Sequence, residues 1–339
     1  MKVGNIEIKN TAVEASGRFV ERGGVKFYEI ENYDKMSPFF ISLASDTDLW
    51  MYISSTGGLS CGRKSPDEAL FPYYTDDKIT ENYDWTGAKT ILKVNVQGAG
   101  EYLWEPFSNR YPGAYPIVRR ILKSVTGNEL IFEEENQCLG LTFSYRWAAA
   151  DKFGWTRRAE LRNNAEKAVT VELVDGVQNV LPFGTDRQTQ NVYSTLVDAY
   201  KRTELVGNLA LFRMEAIMVD RAEPSEALSC NTCYTIGLDG ADYLLESRQL
   251  DAFRMGEAIH GETVAKGVRG AMMAHATLTL AGGESHRWYS VMETRRDAAA
   301  VRALLKNQAT AEQIEEEIRK STEVLRQIVG QNDGIQETA

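Results

Sequence analysis

The chain has 339 residues, of which 43% are hydrophobic and 25% are charged, and its formal net charge is −10. A chain of this length and composition can fill the core of one large β domain or of two ordinary domains. The negative charge argues against nucleic acid or an anionic membrane as a partner, because both require a concentrated basic face, so we expect a neutral or polar small molecule instead.

The N-terminal part of the chain predicts short strands and a cytoplasmic location. Its first residues lack the apolar core of a signal peptide, and the sequence contains no run of about 18 apolar residues. Apolar residues on both sides of a glycine pair predict a hairpin with its turn at residues 22–24. Residues 39–43 and 49–54 predict two further strands of the same sheet system.

Residues 62–87 show no periodicity, yet they contain five aromatic residues among six acidic ones. Connections longer than about 12 to 15 residues are usually functional or disordered, and the aromatic residues argue against disorder. We therefore predict a binding or docking loop, with a merely packed loop as the alternative. Its candidate substrate-binding residues are Tyr73, Tyr74 and Trp85.

A second irregular region, residues 101–116, contains three prolines, which exclude a central strand. Aromatic rings can bury the apolar face of a pyranose while polar neighbours bind its hydroxyl groups. Trp104, Arg110 and Tyr111 are therefore further candidate substrate-binding residues. The alternative is that these rings only seal one end of a β-sandwich.

Residues 129–181 show the clearest strand pattern, because apolar and polar residues alternate in three segments of this run. We predict an antiparallel meander in which a hairpin at residues 162–165 uses two asparagines that tolerate a positive φ. A sheet with one apolar face must be covered. The remaining strands, up to a closing strand at residues 287–292, therefore extend this sheet or form a second one packed on it.

Residues that could perform chemistry do not form a recognisable set. The three histidines lie outside any tight metal spacing, so we expect no metal site, and no nucleotide or serine-hydrolase motif occurs. Cys230 and Cys233 have CxxC spacing, but the simpler interpretation is two thiols in a strand. Two runs of glutamates, 133–135 and 315–317, are expected to be exposed. We assign no catalytic residue.

The C-terminal end predicts two helices. Asp297 can cap the first, and Thr310 with Gln313 forms the capping box of the second. The sequence therefore predicts a mainly β fold: a large antiparallel two-sheet β-sandwich in residues 1–293, followed by a helical linker with two α-helices in residues 294–339.

Four features occur together in this chain. They are the strand Phe39-Phe40-Ile41-Ser42-Leu43, the step Gly57-Gly58-Leu59-Ser60 with its long polar loop, the segment Glu160-Leu161-Arg162-Asn163-Asn164, and the two terminal helices. This combination resembles the N-terminal part of cellobiose-phosphorylase-type enzymes of glycoside hydrolase family 94. In that family a β-supersandwich, similar in shape to galactose mutarotase, precedes a helical linker and an (α/α)6 barrel that carries the catalytic aspartate.

The resemblance implies that the chain is the sandwich and linker of a carbohydrate-active enzyme. The catalytic barrel would lie beyond Ala339, so the chain alone would not turn over substrate. The full enzyme would act on an oligosaccharide or β-glucoside with inorganic phosphate as co-substrate and no other cofactor. The sandwich would support the barrel and lend loops to a sugar pocket, either its own or that of a partner subunit in a homodimer.

Two other classes of function remain open from the sequence. A complete aldose-epimerase-like enzyme would need an acid and a base that converge on one sugar-sized cleft. An autonomous carbohydrate-binding module would bind oligosaccharides without catalysis.

Overall fold

The computed structural model describes residues 2–3, 6–7, 13–96, 100–192, 194–216 and 228–333. The strands in the first half of the chain are β1 (Lys2–Val3), β2 (Ile6–Glu7), β3 (Ser16–Arg22), β4 (Val25–Glu31), β5 (Phe40–Leu43), β6 (Leu49–Ser54), β7 (Leu59–Arg63), β8 (Gly87–Val96), β9 (Gly100–Trp104), β10 (Ile117–Ser124), β11 (Glu129–Asn136), β12 (Leu141–Ala150) and β13 (Gly154–Asn163). Those in the second half are β14 (Val169–Val180), β15 (Lys201–Val206), β16 (Leu209–Met214), β17 (Ser229–Ile236), β18 (Asp242–Leu244), β19 (Val264–Lys266), β20 (Gly270–Leu280) and β21 (Ser285–Asp297).

Helices are few and short, except at the C-terminal end. The α-helices are α1 (Asp76–Glu81), α2 (Arg187–Val192), α3 (Ser194–Tyr200), α4 (Leu250–Arg254), α5 (Ala298–Lys306) and α6 (Ala311–Asp333). Three single 3-10 turns cover Tyr33–Lys35, Pro66–Glu68 and Asn82–Asp84. None of the helices in the described ranges is both long and apolar enough to cross a membrane.

One very large sheet dominates the molecule. It has 11 strands in the order β19-β15-β16-β17-β21-β13-β12-β11-β10-β4-β3. A five-stranded sheet, β18-β20-β14-β8-β9, and a three-stranded sheet, β5-β6-β7, make up the opposite layer, and β1 pairs with β2. Neighbouring strands run antiparallel throughout these sheets.

The hydrophobic core lies between these two layers. The inner face of the large sheet contributes large aromatic side chains such as Trp147 and Trp288, both fully buried. Leu173 of the five-stranded sheet and Ile53 of the three-stranded sheet belong to the same core cluster. Because side chains alternate between faces along a strand, every second residue of these strands is available to this core. The predicted mainly β two-layer sandwich is confirmed.

The two C-terminal helices pack on the outer face of the large sheet. Ile314 and Ile318 of α6 are buried in a second cluster with Ala148 of β12 and Tyr289 of β21. This cluster covers the middle strands, whereas the sheet continues past the helices on both sides. The helices therefore cover one part of the outer face. The rest of that face is exposed or lines a groove.

The predicted caps of both helices are confirmed. The Ala300 backbone N–H donates to Oδ1 of Asp297 over 2.8 Å. At the start of α6, the Gln313 N–H donates to Oγ1 of Thr310 over 3.3 Å, and the Thr310 N–H donates to Oε1 of Gln313 over 3.0 Å. These side chains accept from backbone donors that lack an intrahelical partner.

The predicted meander is correct for β11, β12 and β13 but wrong for β14. β13 pairs with β12 and β21, whereas β14 crosses to the opposite layer and pairs with β8 and β20. Residues 162–165 therefore do not form a hairpin between neighbouring strands, and Asn163 and Asn164 do not have a positive φ. Asn163 is buried and its Nδ2 donates to three backbone carbonyls, which fixes the crossing.

Other sequence predictions have mixed outcomes. The hairpin at residues 22–24 forms between β3 and β4, and both of its glycines have a positive φ. Residues 62–87 contain a short α-helix and two 3-10 turns rather than a continuous loop. The segment Glu223-Pro224-Ser225, whose sequence predicts a turn between two strands, lies outside the described residues.

Candidate functional site

The two irregular regions that the sequence singled out meet in space. Nη2 of Arg110 lies 2.7 Å from Oδ2 of Asp84, which joins residues 101–116 to residues 62–87. Lys89 also pairs with Asp84, and its Nζ lies 2.6 Å from Oε1 of Glu105. Burial tends to raise the pKa of Asp84, but Lys89 and Arg110 outweigh it and hold that pKa below its ordinary value. The junction of the two regions is therefore a chain of ion pairs.

This junction carries three of the predicted substrate-binding residues. Trp85 follows Asp84 directly and is 55% exposed, and Tyr111 follows Arg110 directly and is 51% exposed. Each ring is thus one residue away from the 2.7 Å ion pair that joins the two regions. Exposed aromatic residues beside a paired cation and anion are the combination expected for a sugar platform.

Tyr73 and Tyr74 contact other parts of the molecule. The Tyr73 ring packs edge-on against Trp50 of β6 with ring centroids 5.6 Å apart. The Lys78 ammonium lies 5.7 Å from the centroid of the Tyr74 ring, and burial raises the pKa of the Tyr74 hydroxyl. Both side chains are half-buried. Their described contacts are structural, and a role for them in binding stays a prediction.

Trp104 must be corrected, because its ring is only 2% exposed. Its Nε1 donates to Oε1 of Glu134 over 2.8 Å, and the same carboxylate accepts from Nε of Arg119 over 2.7 Å. The alternative interpretation, in which rings of residues 101–116 seal the sandwich, therefore describes Trp104. Glu134 itself is 1% exposed and Glu133 is also buried, so the expected exposure of residues 133–135 is wrong for these two.

A small cavity of about 30 Å³ lies beneath the junction. Lys89, Tyr83 and Ser108 line it, together with the buried Tyr145 from the large sheet. A cavity of this size and polarity can hold a single water molecule but not a sugar ring. This cavity therefore has no room for a sugar ring, and sugar contact at the exposed rings of Trp85 and Tyr111 stays a prediction.

A much larger cavity lies elsewhere, between the outer face of the large sheet and α6. Its volume is about 970 Å³, and one end of it is formed by the β3–β4 hairpin. We call this cavity the sheet groove. Its lining is dominated by arginine and glutamate, contributed by β11, β12, β13, β21 and α6.

The floor of the sheet groove contains an unusual pair of arginines. Arg146 of β12 lies directly opposite Arg158 of β13 in the antiparallel register. Glu315 of α6 lies between them, with Oε1 2.7 Å from Nη2 of Arg146, 3.4 Å from Nη1 of Arg158 and 2.8 Å from the hydroxyl of Tyr289. Burial tends to raise the pKa of Glu315, but Arg146 and Arg158 outweigh it and leave that pKa below its ordinary value. Glu315 therefore links α6 to the sheet.

The sheet groove was not predicted from the sequence. The available signal was Arg158, Glu160 and Arg162, three charged residues at alternate positions of a strand whose other face is apolar or buried. In the middle of an 11-stranded sheet such residues have to face either water or a ligand. Without the strand order, that signal looked like an ordinary solvated face.

The described residues contain no group of three or more histidine, cysteine, aspartate or glutamate side chains placed to hold a metal ion. Cys230 and Cys233 are free, buried thiols on β17, as the simpler interpretation predicted. Burial raises the pKa of Cys230 to about 11 and that of Cys233 further, so neither is a ready nucleophile. His275 contacts Glu172 over 2.8 Å, and His286 contacts the Gly237 carbonyl over 2.7 Å.

No protein-family model matches the sequence, and no curated protein matches it significantly. Solved structures do match. A bacterial glucoamylase complexed with acarbose is 8% identical, with a TM-score of 0.50, over 87% of this chain and 39% of the glucoamylase chain. This chain therefore spans less than half the length of that protein.

Two further structures score lower. A candidate kojibiose phosphorylase from the human microbiome is 8% identical, with a TM-score of 0.39, over 72% of this chain and 28% of its own. A candidate aldose 1-epimerase from Klebsiella pneumoniae is 10% identical, with a TM-score of 0.35, over 91% of this chain and 92% of its own. Of these three structures, only the glucoamylase has a TM-score high enough to support a common fold. At 8% identity, the similarity concerns the fold alone. It supports the β-supersandwich.

Proposed function

We propose that this chain is the β-supersandwich part of a carbohydrate-active enzyme, in which it supports a catalytic barrel and offers a loop surface to the sugar. The observation that carries this proposal is the junction of residues 62–87 and 101–116, where Trp85 and Tyr111 are exposed beside the Asp84–Arg110 ion pair. Rings in that setting can bury a pyranose face while the charged groups bind its hydroxyls.

The fold comparison supports the same proposal. The part of the glucoamylase chain that this protein matches is a minority of that chain, and that glucoamylase is complexed with acarbose. A supersandwich that accompanies a separate catalytic region is consistent with that coverage. Membership in the cellobiose-phosphorylase family, with phosphate as co-substrate and a β-glucoside as substrate, is the finer form of the proposal.

Binding at the junction can be measured by tryptophan fluorescence. We expect cellobiose, maltose or longer glucose oligosaccharides to change the emission of the chain saturably, because Trp85 is the exposed tryptophan of the junction. Trp85→Ala should abolish that change and Tyr111→Ala should weaken binding by about tenfold, since ring stacking contributes on the order of 1 kcal/mol or more. Val192→Ala, at an exposed position on α2, is the control.

A titration in which Trp85→Ala binds oligosaccharides as well as the unchanged chain does would contradict the proposed surface. A separate assay tests the supporting role. The chain alone, incubated with cellobiose and phosphate, should release no glucose 1-phosphate, and robust release would show that it contains an active site of its own.

An aldose epimerase is the other enzymatic candidate, and the described geometry does not favour it. Such an enzyme needs a general acid and a general base that face one sugar. No histidine in the described ranges lines the sheet groove, and its carboxylates are held by arginines. Interconversion of α- and β-glucose by the isolated chain, above the spontaneous rate, would favour the epimerase instead.

A further inference from the structure

We propose that the sheet groove binds an oxyanion, held by Arg158 and Arg162 on the outer face of β13. This site is separate from the aromatic junction of residues 62–87 and 101–116. The groove contains charged and polar donors whose neighbouring acceptors are already used by other residues.

The carboxylates that line the sheet groove are already occupied by arginines. Glu129 lies 2.9 Å from Arg146, Glu133 lies 2.5 Å from Arg22, Glu160 lies 2.7 Å from Arg287, Glu315 lies 2.7 Å from Arg146 and Glu323 lies 3.9 Å from Arg326. The groove therefore has few free acceptors for the hydroxyl protons of a neutral ligand. Its acceptors are largely used within the protein.

Two arginines of the groove have donors to spare. Arg158 has one ion-pair contact in the described part of the chain, 3.4 Å from Oε1 of Glu315, and that oxygen already accepts two shorter hydrogen bonds. Arg162 lines the groove, and its guanidinium forms no hydrogen bond or ion pair with any residue that the structure describes. Arg158 and Arg162 occupy the same face of β13, one on either side of Glu160.

The electrostatic surroundings of Arg158 point in the same direction. Burial lowers the pKa of its guanidinium, and the positive charge of Arg146 directly opposite lowers it further. Like charges directly opposite each other in a sheet repel. An anion placed between Arg158 and Arg162 would offset this repulsion, because Glu315 contacts Arg158 only at 3.4 Å and lies closer to Arg146, which also pairs with Glu129.

Neutral donors lie on the floor of the groove next to these arginines. Oγ1 of Thr142 accepts from Nδ2 of Asn164 over 2.7 Å, so the Thr142 hydroxyl proton remains available to a ligand. Ser144 also lines the groove, opposite Glu160, and its hydroxyl has no hydrogen bond within the described ranges. Two guanidinium groups and two hydroxyls form a donor-rich surface, which is the chemistry that binds carboxylate, phosphate or sulfate.

The overall charge of −10 does not prevent such binding. Exposed charges farther away than about 8 Å are largely screened at physiological ionic strength, whereas the groove arginines would contact the anion directly. The volume of about 970 Å³ is large enough for more than a free inorganic ion. If the proposed carbohydrate function holds, the oxyanion would be carried by a sugar, as a uronate or a sugar phosphate, and this last step alone rests on that function.

The test uses the full chain and calorimetric titration with inorganic phosphate, glucose 1-phosphate, glucuronate and neutral glucose. We expect saturable binding of phosphate that weakens as the sodium chloride concentration is raised. We expect glucose 1-phosphate or glucuronate to bind more tightly than inorganic phosphate. Arg162→Gln and Arg158→Gln should each weaken phosphate binding by about tenfold, because a charge-assisted hydrogen bond is lost. Arg302→Gln removes an exposed arginine of α5 outside the groove and should leave binding unchanged.

The two proposals fail in different ways. Equal phosphate affinity for Arg162→Gln and Arg302→Gln, or neutral glucose binding as well as glucose 1-phosphate, would overturn the oxyanion site. Arg162 is exposed, so we expect the Arg162→Gln variant to fold, and circular dichroism can confirm this. The test therefore remains possible even if the Arg158→Gln variant is unstable. Trp85→Ala should not alter phosphate binding, and a sugar titration that fails at the aromatic junction would leave the phosphate result valid.

Discussion

Arg157 and Arg158 are consecutive residues of β13, and they show how differently the two faces of the large sheet use the same side chain. Arg157 faces the interior and is fully buried, with Nη1 and Nη2 donating to Asp175 over 2.7 and 2.8 Å. Trp288 and Thr90 also donate to that carboxylate. Arg158 faces the sheet groove, and its ion pair with Glu315 is long, at 3.4 Å.

The difference teaches which charged residues stabilise this sandwich. Asp175 belongs to β14 of the five-stranded sheet, so the Arg157–Asp175 pair joins the two layers across the core. A buried ion pair needs nearly all of its hydrogen bonds, because each buried charge has lost its water. On the outer face, Arg158 and Arg162 keep access to water or ligand, so they are available for binding.

The largest expected effect is on the inner face. Arg157→Met leaves the Asp175 carboxylate buried without its bidentate partner, so we expect the free energy of unfolding to fall by about 3–5 kcal/mol. Arg158→Met removes the 3.4 Å contact with Glu315, so the free energy of unfolding should fall by less than about 1 kcal/mol. Urea denaturation of both variants measures the difference, and equal losses would contradict the contrast between the two faces.

A smaller effect is expected where α6 meets the outer face. Glu315→Gln leaves Arg146 and Arg158 opposite each other without a negative charge between them, so we expect a loss of about 1–3 kcal/mol in unfolding free energy. Amide hydrogen exchange should become faster in α6. Glu316→Gln is a matched control, because Glu316 is exposed and, within the described residues, pairs only with Arg319 of the same helix. Unchanged exchange in Glu315→Gln would mean that apolar packing alone holds α6.

The N-terminal cap of α5 should contribute less to the free energy of unfolding than Glu315 does. Asp297→Ala removes the acceptor of the Ala300 N–H, which costs about 1 kcal/mol for a typical N-cap. Hydrogen exchange should accelerate in the first turn of α5 and remain unchanged in the inner strands. Acceleration across the whole sandwich would show that α5 and the core unfold together rather than separately.

The smallest predicted effect concerns pH. The pKa of Glu315 is lower in the folded protein than its ordinary value, so its stabilisation is present above the unfolded pKa of about 4.3 and is lost as pH falls through the folded value. Glu315 is partly exposed, so solvent screening limits this pH-dependent part of the stabilisation to under about 1 kcal/mol. The difference in unfolding free energy between the unchanged chain and Glu315→Gln should therefore shrink by up to that amount as pH is lowered from 7 to 3. A constant difference across that range would contradict a charged role for Glu315.

The structure brings together some, but not all, of the candidate binding residues that the sequence predicted. Trp85, Arg110 and Tyr111 lie at one junction, as a shared sugar platform would require, because Asp84 pairs with Arg110. Trp104 belongs to the same irregular region but is buried against Glu134, and sequence composition could not distinguish the two situations. A tryptophan next to prolines is equally compatible with a platform and with a seal until its neighbours are known.

Local signals in the sequence determined the strand alternation, the glycine turn at residues 22–24 and the helix caps at Asp297 and Thr310, because each depends on residues within a few positions of one another. Tertiary structure alone decided that β14 joins the opposite layer and that Arg146 lies opposite Arg158 under Glu315. Alternation shows that a strand has one apolar face, but it does not specify the partner strand or the element that covers the other face. The sheet groove depends on that long-range choice, since its arginines and its glutamates come from strands and a helix far apart in the chain.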